Sequence, residues 1–190
     1  MLSFFLLASI FPLIHSLDKN PKPCMPAQYN NAHNTFIKRH IPDGVPETLD
    51  QNAWQAFLRK IDMCGRPTQS FFRANERQRV DNVCTKAGGK TQSGNMCISK
   101  DQFSFVTVRV DNTAGACGIK SIHPESKHII LACDDIGNVC QPVHFEANPE
   151  NKVPSNNQLD CGAKESSGTK TVALNVMMLL FTLVALVYIL

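Results

Sequence analysis

Apolar residues recur at helical spacing in three segments of the first half of the chain. Segments 30–41, 51–61 and 71–83 each place large apolar side chains on one helix face, with polar residues opposite. Asp50 is suited to cap the second segment, and a Pro-Asp-Gly sequence ends the first. The residues that share these faces are Phe36, Ile37, His40 and Ile41; Trp54, Phe57, Leu58 and Ile61; and Phe72, Val80 and Val83. The pattern therefore predicts three helices before residue 84.

The second half of the chain changes to short apolar runs that suit strands. Residues 102–110 (QFSFVTVRV) alternate between two faces, and 127–133 (KHIILAC) and 139–145 (VCQPVHF) are brief apolar runs. Between the helices and the strands, residues 87–95 (AGGKTQSGN) predict a turn-rich loop. Helices followed by strands are typical of an α+β fold with an antiparallel sheet.

Both ends of the chain are apolar and carry no charged residue. Residues 1–16 form an apolar region too brief to cross a bilayer, which predicts a signal peptide cleaved near Ser16. Residues 172–190 are long enough to span the hydrocarbon. The Pro-rich stretch 17–28 predicts an irregular lead-in, and residues 149–171 predict a polar linker before the tail.

The hydrophobic C-terminal tail has two interpretations. Small residues at 161–163, a polar spacer and the tail follow the order of a GPI-anchor signal, with Ser166, Ser167 and Gly168 as a second attachment site. A retained single transmembrane helix is the alternative. In either case we expect an extracellular protein tethered to the cell surface, where cysteines form disulfides.

Composition narrows the class of protein. The 190 residues include 8 Cys, and the 155 residues between the apolar ends hold every charged side chain. That length suits one domain and excludes a multidomain enzyme, a multispan membrane protein and a disordered chain. Since Lys164, Lys170 and Glu165 lie beyond Cys161, residues 17–161 carry a net charge of +2, which permits a polyanion ligand without demanding one. The chain has no C-x-x-C pair, so no zinc site is expected.

Three segments, in order along the chain, resemble one known family. They are FIKRHI (36–41), CGRPTQSF (64–71), and KHIILAC followed by PVHFEA (127–147). Together they are similar to the pancreatic-type ribonuclease (ribonuclease A) superfamily, over about residues 29–148. The resemblance implies a bent antiparallel sheet with three helices, stapled by disulfides. It also implies cleavage of single-stranded RNA without a metal or other cofactor, by a protein that acts as a monomer.

The resemblance assigns roles to two histidines. His40 matches the general base that takes the proton of the 2′-hydroxyl, and His144 matches the general acid that protonates the departing 5′-oxygen. Two imidazoles suit this chemistry because each titrates near neutral pH, so one can be neutral while the other is charged. Glu146 stands where the family has an Asp that orients the acid, and the backbone N–H of Phe145 would be a phosphate donor.

The sequence departs from the family's Lys-containing signature in CGRPTQSF. Arg66 takes the place of the Lys that stabilises the transition state, after an inserted Gly65. Gln69 and Ser70 replace the family's Asn and Thr at substrate-binding positions, and Arg39 matches a position that touches phosphate. These differences predict weakened catalysis, and they keep a second interpretation open. That interpretation is a non-catalytic ribonuclease-fold module for an extracellular protein partner or a polyanion.

The resemblance also bears on the cysteines and on the other histidines. It implies two of the family's bridges, Cys64–Cys117 and Cys84–Cys133. The four remaining cysteines, which allow three pairings, are Cys24, Cys97, Cys140 and Cys161. His33 is expected to face solvent, and His123 and His128 are expected to be structural or on the surface.

Overall fold

The computed structural model of the protein describes residues 20–111 and 117–162, and within them it has three α-helices and eight strands. The helices are α1 (Ala32–His40), α2 (Gln51–Lys60) and α3 (Arg77–Asn82), with a 3₁₀ turn at Ala74–Glu76. The first four strands are β1 (Met25–Pro26), β2 (Thr68–Phe71), β3 (Gly89–Thr91) and β4 (Met96–Ser99). The last four are β5 (Phe103–Asp111), β6 (Gly118–Lys127), β7 (Ile130–Ile136) and β8 (Val139–Glu146).

The strands form two sheets. One has the order β1-β7-β4-β3 with β8 also paired to β7, and the other has the order β2-β5-β6. Every pairing is antiparallel except the two-residue match of β1 to β7. The predicted α+β class is confirmed, and the helices and disulfides are consistent with a ribonuclease A-like fold.

Two apolar clusters stabilise the fold. Helix α1 and β8 share the first cluster, which includes Phe36, Phe72 and Leu131. Helix α2 packs Trp54, fully buried, and Phe57 into the second cluster with β2 and β5. As predicted, Asp50 caps α2, since its carboxylate accepts a hydrogen bond from the backbone N–H of Ala53 at 2.8 Å.

The predicted helix at 71–83 is wrong in its first part. Residues up to Phe71 form β2, and helical structure begins only at Ala74. Phe71 is buried against Trp54 and Phe57, whereas Phe72 is buried against Phe105 and Phe145. Successive side chains of an extended chain point to opposite sides, so Phe71 and Phe72 can pack into different clusters. On a helix the two side chains would not point in opposite directions.

Strands β3, β4 and β6 also lie where the sequence predicts no strand. The predicted loop 87–95 contains β3, which pairs with β4. Strand β6 is long but mostly polar and partly exposed, so it lacks the apolar alternation that identifies a strand. Its pairing with β5 over Phe103–Asp111 holds it in the sheet.

The packed structure extends beyond the predicted domain, 29–148, at both ends. Cys24 is bonded to Cys140, and β1 lies within the predicted lead-in. Cys97 is bonded to Cys161, and the backbone N–H of Thr91 donates to Leu159 at 2.8 Å, so the predicted linker begins as part of the fold. A disulfide and backbone hydrogen bonds thus hold each flanking segment against the rest of the fold.

All eight cysteines are paired. The two bridges implied by the family resemblance, Cys64–Cys117 and Cys84–Cys133, are present. The predicted signal peptide at 1–16 and the hydrophobic tail at 172–190 lie outside the described residues. Within residues 20–111 and 117–162, no helix is long and apolar enough to cross a membrane.

Candidate active site

His40 is the last residue of α1 and is held from several sides. Its ring lies 5.1 Å from that of Phe36 and 5.4 Å from that of Phe145, measured between centroids. Its Nδ1 is 2.9 Å from the carbonyl oxygen of Ser70. Because a carbonyl oxygen only accepts, Nδ1 must carry the hydrogen, and Nε2 is the nitrogen that remains to accept a proton.

Burial lowers the pKa of His40 to about 4, against the hydrogen bond to Ser70, which raises it. The charges of His144, Arg39 and Arg66 lower the pKa further, in that order. His40 is therefore neutral at physiological pH. These charges also show that three of the predicted site residues lie close enough to act on His40.

His144 stands on β8 in a different environment. Its side chain is 56% exposed, and its Nε2 lies 3.5 Å from Oε2 of Glu146, on the same side of the strand. The intervening Phe145 points to the other side, where its ring contacts Phe72 and Phe105. The partly buried Phe145 holds the strand against the first cluster, and the exposed His144 faces solvent with a carboxylate beside it.

The two predicted arginines lie near one another. Burial first, and then the charge of Arg66, lower the pKa of the Arg39 guanidinium. Arg39 lies on α1, one residue before His40. Arg66 lies on the exposed segment between Cys64 and β2. The site therefore has two guanidinium groups beside a neutral imidazole, which suits an anion.

Gln69 and Ser70 differ in what they can offer a substrate. The amide Nε2 of Gln69 donates to the backbone oxygen of Met63 at 3.3 Å, and its buried Oε1 has no hydrogen-bond partner among the described residues. Ser70 lies opposite Thr107 on β5, and their hydroxyl oxygens are 2.9 Å apart. Ser70 therefore supports His40 through its carbonyl oxygen and contacts β5 through its hydroxyl.

Two residues near the site were not assigned to it from the sequence. Thr107 contacts Ser70. The alternation of residues 102–110 indicates which face of the strand Thr107 occupies, but it does not indicate that Ser70 lies opposite. His33 was expected to face solvent, and this is wrong, because it is 7% exposed and its ring stacks on that of Phe36. The spacing of His33, Phe36 and His40 marks one helix face and would have placed His33 on the buried side.

The described residues include no group of three or more His, Cys, Asp or Glu side chains that could hold a metal ion. A groove of about 290 Å³ has Glu146, Asn148, Glu150, Gln92 and Met96 among its lining residues, and Glu146 is also the carboxylate beside His144. The candidate site itself combines two imidazoles with two guanidinium groups.

Comparison with known proteins gives a distant similarity. No family model matches the chain. The chain is 24% identical over 124 residues to angiogenin of Papio hamadryas, covering 63% of this chain and 80% of that protein. This similarity and the four disulfides support a ribonuclease-like protein and are consistent with an extracellular one.

Proposed function

We propose that this protein is a secreted ribonuclease that cleaves single-stranded RNA by metal-independent transphosphorylation, with weakened activity. The observation that carries the proposal is the pairing of a neutral, hydrogen-bonded His40 with an exposed His144 beside two arginines. The neutral state that a general base needs follows from the environment of His40.

The proposed reaction transfers one proton at each histidine. Nε2 of His40 takes the proton of a ribose 2′-hydroxyl, and the 2′-oxygen forms a bond to the neighbouring phosphorus. The bond from phosphorus to the 5′-oxygen breaks, and protonated His144 gives its proton to that oxygen. The products are a 2′,3′-cyclic phosphate and a free 5′-hydroxyl, so atoms and charges balance without a metal.

The arginines would stabilise the charge that develops on the phosphate oxygens. Arg66 replaces the Lys of the family that the sequence resembles, and Arg39 adds a second guanidinium on the adjacent helix. The backbone N–H of Phe145 is a third proposed donor. The groove that Glu146 lines offers room for the nucleotide that carries the leaving 5′-oxygen.

Weakened activity follows from the environment of the base. A base is most effective when its pKa is near the working pH, and the pKa of His40 is about 4. His40 is thus always in the correct state at neutral pH but accepts a proton weakly. Arg66 is also exposed, so its guanidinium loses side-chain entropy when it binds the phosphate.

A cleavage assay on the secreted protein tests the proposal. Wild-type protein should cleave single-stranded RNA to cyclic phosphate ends in the presence of EDTA, and His40→Ala or His144→Ala should lower the rate by about 10²- to 10⁴-fold. His123→Ala is the matched control, because His123 is exposed on β6. Equal cleavage by all four proteins would overturn the proposal, since a contaminant would then account for the activity.

A non-catalytic binding module is the second candidate, and the two neighbouring arginines favour it. Arg39 and Arg66 offer positive charge to a polyanion or an acidic extracellular partner whether or not His40 acts as a base. RNA binding that is lost in an Arg39→Gln, Arg66→Gln double variant, with no cleavage by wild type, would support this candidate over the enzyme.

We also propose the cell surface as the site of action, through a lipid anchor or a single transmembrane helix after residue 162. Cys161 is bonded to Cys97, so attachment at Gly162 or within residues 166–168 is proposed instead. Release of the protein from cells by a phosphatidylinositol-specific phospholipase supports the lipid anchor. Retention after this treatment and after a high-salt wash supports the helix.

A further inference from the structure

His33 connects the two elements that carry the candidate base and acid. It lies on α1, seven residues before His40, and its Nδ1 is 3.0 Å from the carbonyl oxygen of Pro142 on β8, two residues before His144. The bond is buried at both ends, since His33 is 7% exposed and Pro142 is fully buried. A buried hydrogen bond is costly to leave unmade, so it fixes the distance between the two elements.

The acceptor lies where β8 departs from regular pairing. Cys133 of β7 pairs with Pro142 and Ala132 pairs with His144, which leaves Val143 as an extra residue in β8. Such a bulge bends the strand and redirects the side chains beside it. Pro142 has no N–H to pair with β7, and its carbonyl oxygen accepts from His33 instead. The contact with His33 thus holds the bend immediately before His144.

The hydrogen bond to Pro142 orients the His33 ring, and Asp81 lies near the other ring nitrogen. Nδ1 must carry a hydrogen for the Pro142 carbonyl, and Nε2 faces Oδ1 of Asp81 on α3 at 3.9 Å. That Oδ1 is buried and has no hydrogen-bond partner among the described residues. Arg77 faces the other carboxylate oxygen of Asp81 at 4.0 Å. At 3.9 Å the His33 and Asp81 atoms are too far apart for a hydrogen bond, so the bond to the Pro142 carbonyl is the contact that holds the ring.

We infer that His33 is a positioning residue, which sets the place of His144 relative to His40 through the carbonyl oxygen of Pro142. This inference rests on the proposed ribonuclease function. His33 touches no substrate and takes part in no proton transfer. Its effect is on geometry, and misplacement of a catalytic group by about 1 Å can lower a rate by about a hundredfold.

Three substitutions at one position test the inference. His33→Asn keeps a donor where Nδ1 lies, His33→Gln moves the donor to where Nε2 lies, and His33→Leu fills the space without a donor. We expect kcat for RNA cleavage to fall at least tenfold in His33→Gln and His33→Leu, with KM within twofold of wild type. His33→Asn should retain at least a third of wild-type kcat.

A second readout does not depend on activity. The imidazole resonances of His144, assigned by their loss in His144→Ala, are followed by NMR through a pH titration. Their chemical shifts and midpoint should change in His33→Gln and His33→Leu and match wild type in His33→Asn. If wild type proves inactive, the proposed function fails, and this titration still decides the role of His33.

Two results would overturn the inference. One is an unchanged kcat and His144 titration in both His33→Gln and His33→Leu. The other is an equal loss in all three variants, which would indicate packing of the ring and no role for the hydrogen bond. If His33→Leu fails to fold, His33→Asn and His33→Gln remain a matched pair of similar polarity.

Discussion

His40 and His144 carry the same imidazole group, but the two rings lie in different surroundings at the candidate site. The base side consists of His40 with the rings and the Ser70 carbonyl that enclose it, and the acid side consists of His144 and Glu146 on β8. On the base side, burial lowers the pKa to about 4, whereas on the acid side the ring is 56% exposed next to a carboxylate. The two proposed roles therefore differ in the neighbours of the imidazole and not in the side chain itself.

The largest expected effect is on cleavage rates, and it differs between the two sides when the leaving group of the substrate is changed. His144→Ala should slow RNA cleavage by about 10²- to 10⁴-fold. It should slow the cleavage of a uridine 3′-(4-nitrophenyl phosphate) by less than tenfold. Nitrophenolate departs without a proton, so the acid is no longer needed. His40→Ala should slow both substrates, since the 2′-hydroxyl must lose its proton in each case. Initial rates measured on both substrates check this.

The roles would be exchanged if the nitrophenyl ester rescued His40→Ala and failed to rescue His144→Ala. His123→Ala serves as the control for the loss of an exposed imidazole and should match wild type on both substrates.

The sequence predicts those parts of the two sides that show a local pattern, and it misses those that depend on pairing with a distant segment. Helix α1 and strand β8 follow from periodicity that is visible within one segment, whereas the roles of the two histidines were implied by the family resemblance of FIKRHI and PVHFEA. The Ser70 carbonyl could not be assigned to His40, because no strand is predicted at residues 68–70 and Phe71 is predicted to begin a helix. A strand so short is recognisable only from its partner β5, which lies more than 30 residues away.

The same limit applies to the disulfides outside the family framework. Counting leaves three pairings for the last four cysteines, and only the fold shows that Cys24 meets Cys140 and Cys97 meets Cys161. The polar sequence of β6 likewise gives no local signal, since its strand structure comes from pairing along β5. Features that depend on distant partners are the ones that sequence patterns miss.

The base side should make stability depend on pH. An unfolded His binds a proton below about pH 6.5, but folded His40 binds it only below about 4. The unfolded chain therefore holds more protons between these values, and the free energy of unfolding falls as the pH is lowered from 6.5 to 4. The contribution of His40 to this fall is about 3 kcal/mol.

His40→Asn isolates this contribution, because Asn keeps a donor for the Ser70 carbonyl and does not titrate. Urea unfolding at pH 7 and pH 4 should show a smaller loss of stability in His40→Asn than in wild type. An identical pH dependence in His40→Asn and wild type would contradict a depressed pKa for the base.

The carboxylate of the acid side should have a smaller effect. Its distance to His144 is 3.5 Å and both side chains are partly exposed, so the pair is worth at most about 1 kcal/mol. Glu146→Gln should therefore lower kcat on RNA by about fivefold or less, and Glu146→Asp should retain wild-type activity. Glu47→Gln, which removes a carboxylate that is 83% exposed outside the groove, is the control and should leave kcat unchanged. A hundredfold loss in Glu146→Gln would mean that the carboxylate acts on substrate directly.

The smallest expected effect concerns the arginines beside the base. Burial is the main cause of the low pKa of His40, and the charges of Arg39 and Arg66 come after it. Arg39→Gln and Arg66→Gln should each raise that pKa by a few tenths of a pH unit, because a screened charge near the surface contributes only about 0.2–1 kcal/mol. Lys38→Gln removes an exposed charge from the same helix and should leave the pKa unchanged. NMR titration of the His40 ring measures all three variants. A downward shift in either arginine variant would mean that the guanidinium does not face the base, and would restrict the anion site to the acid side.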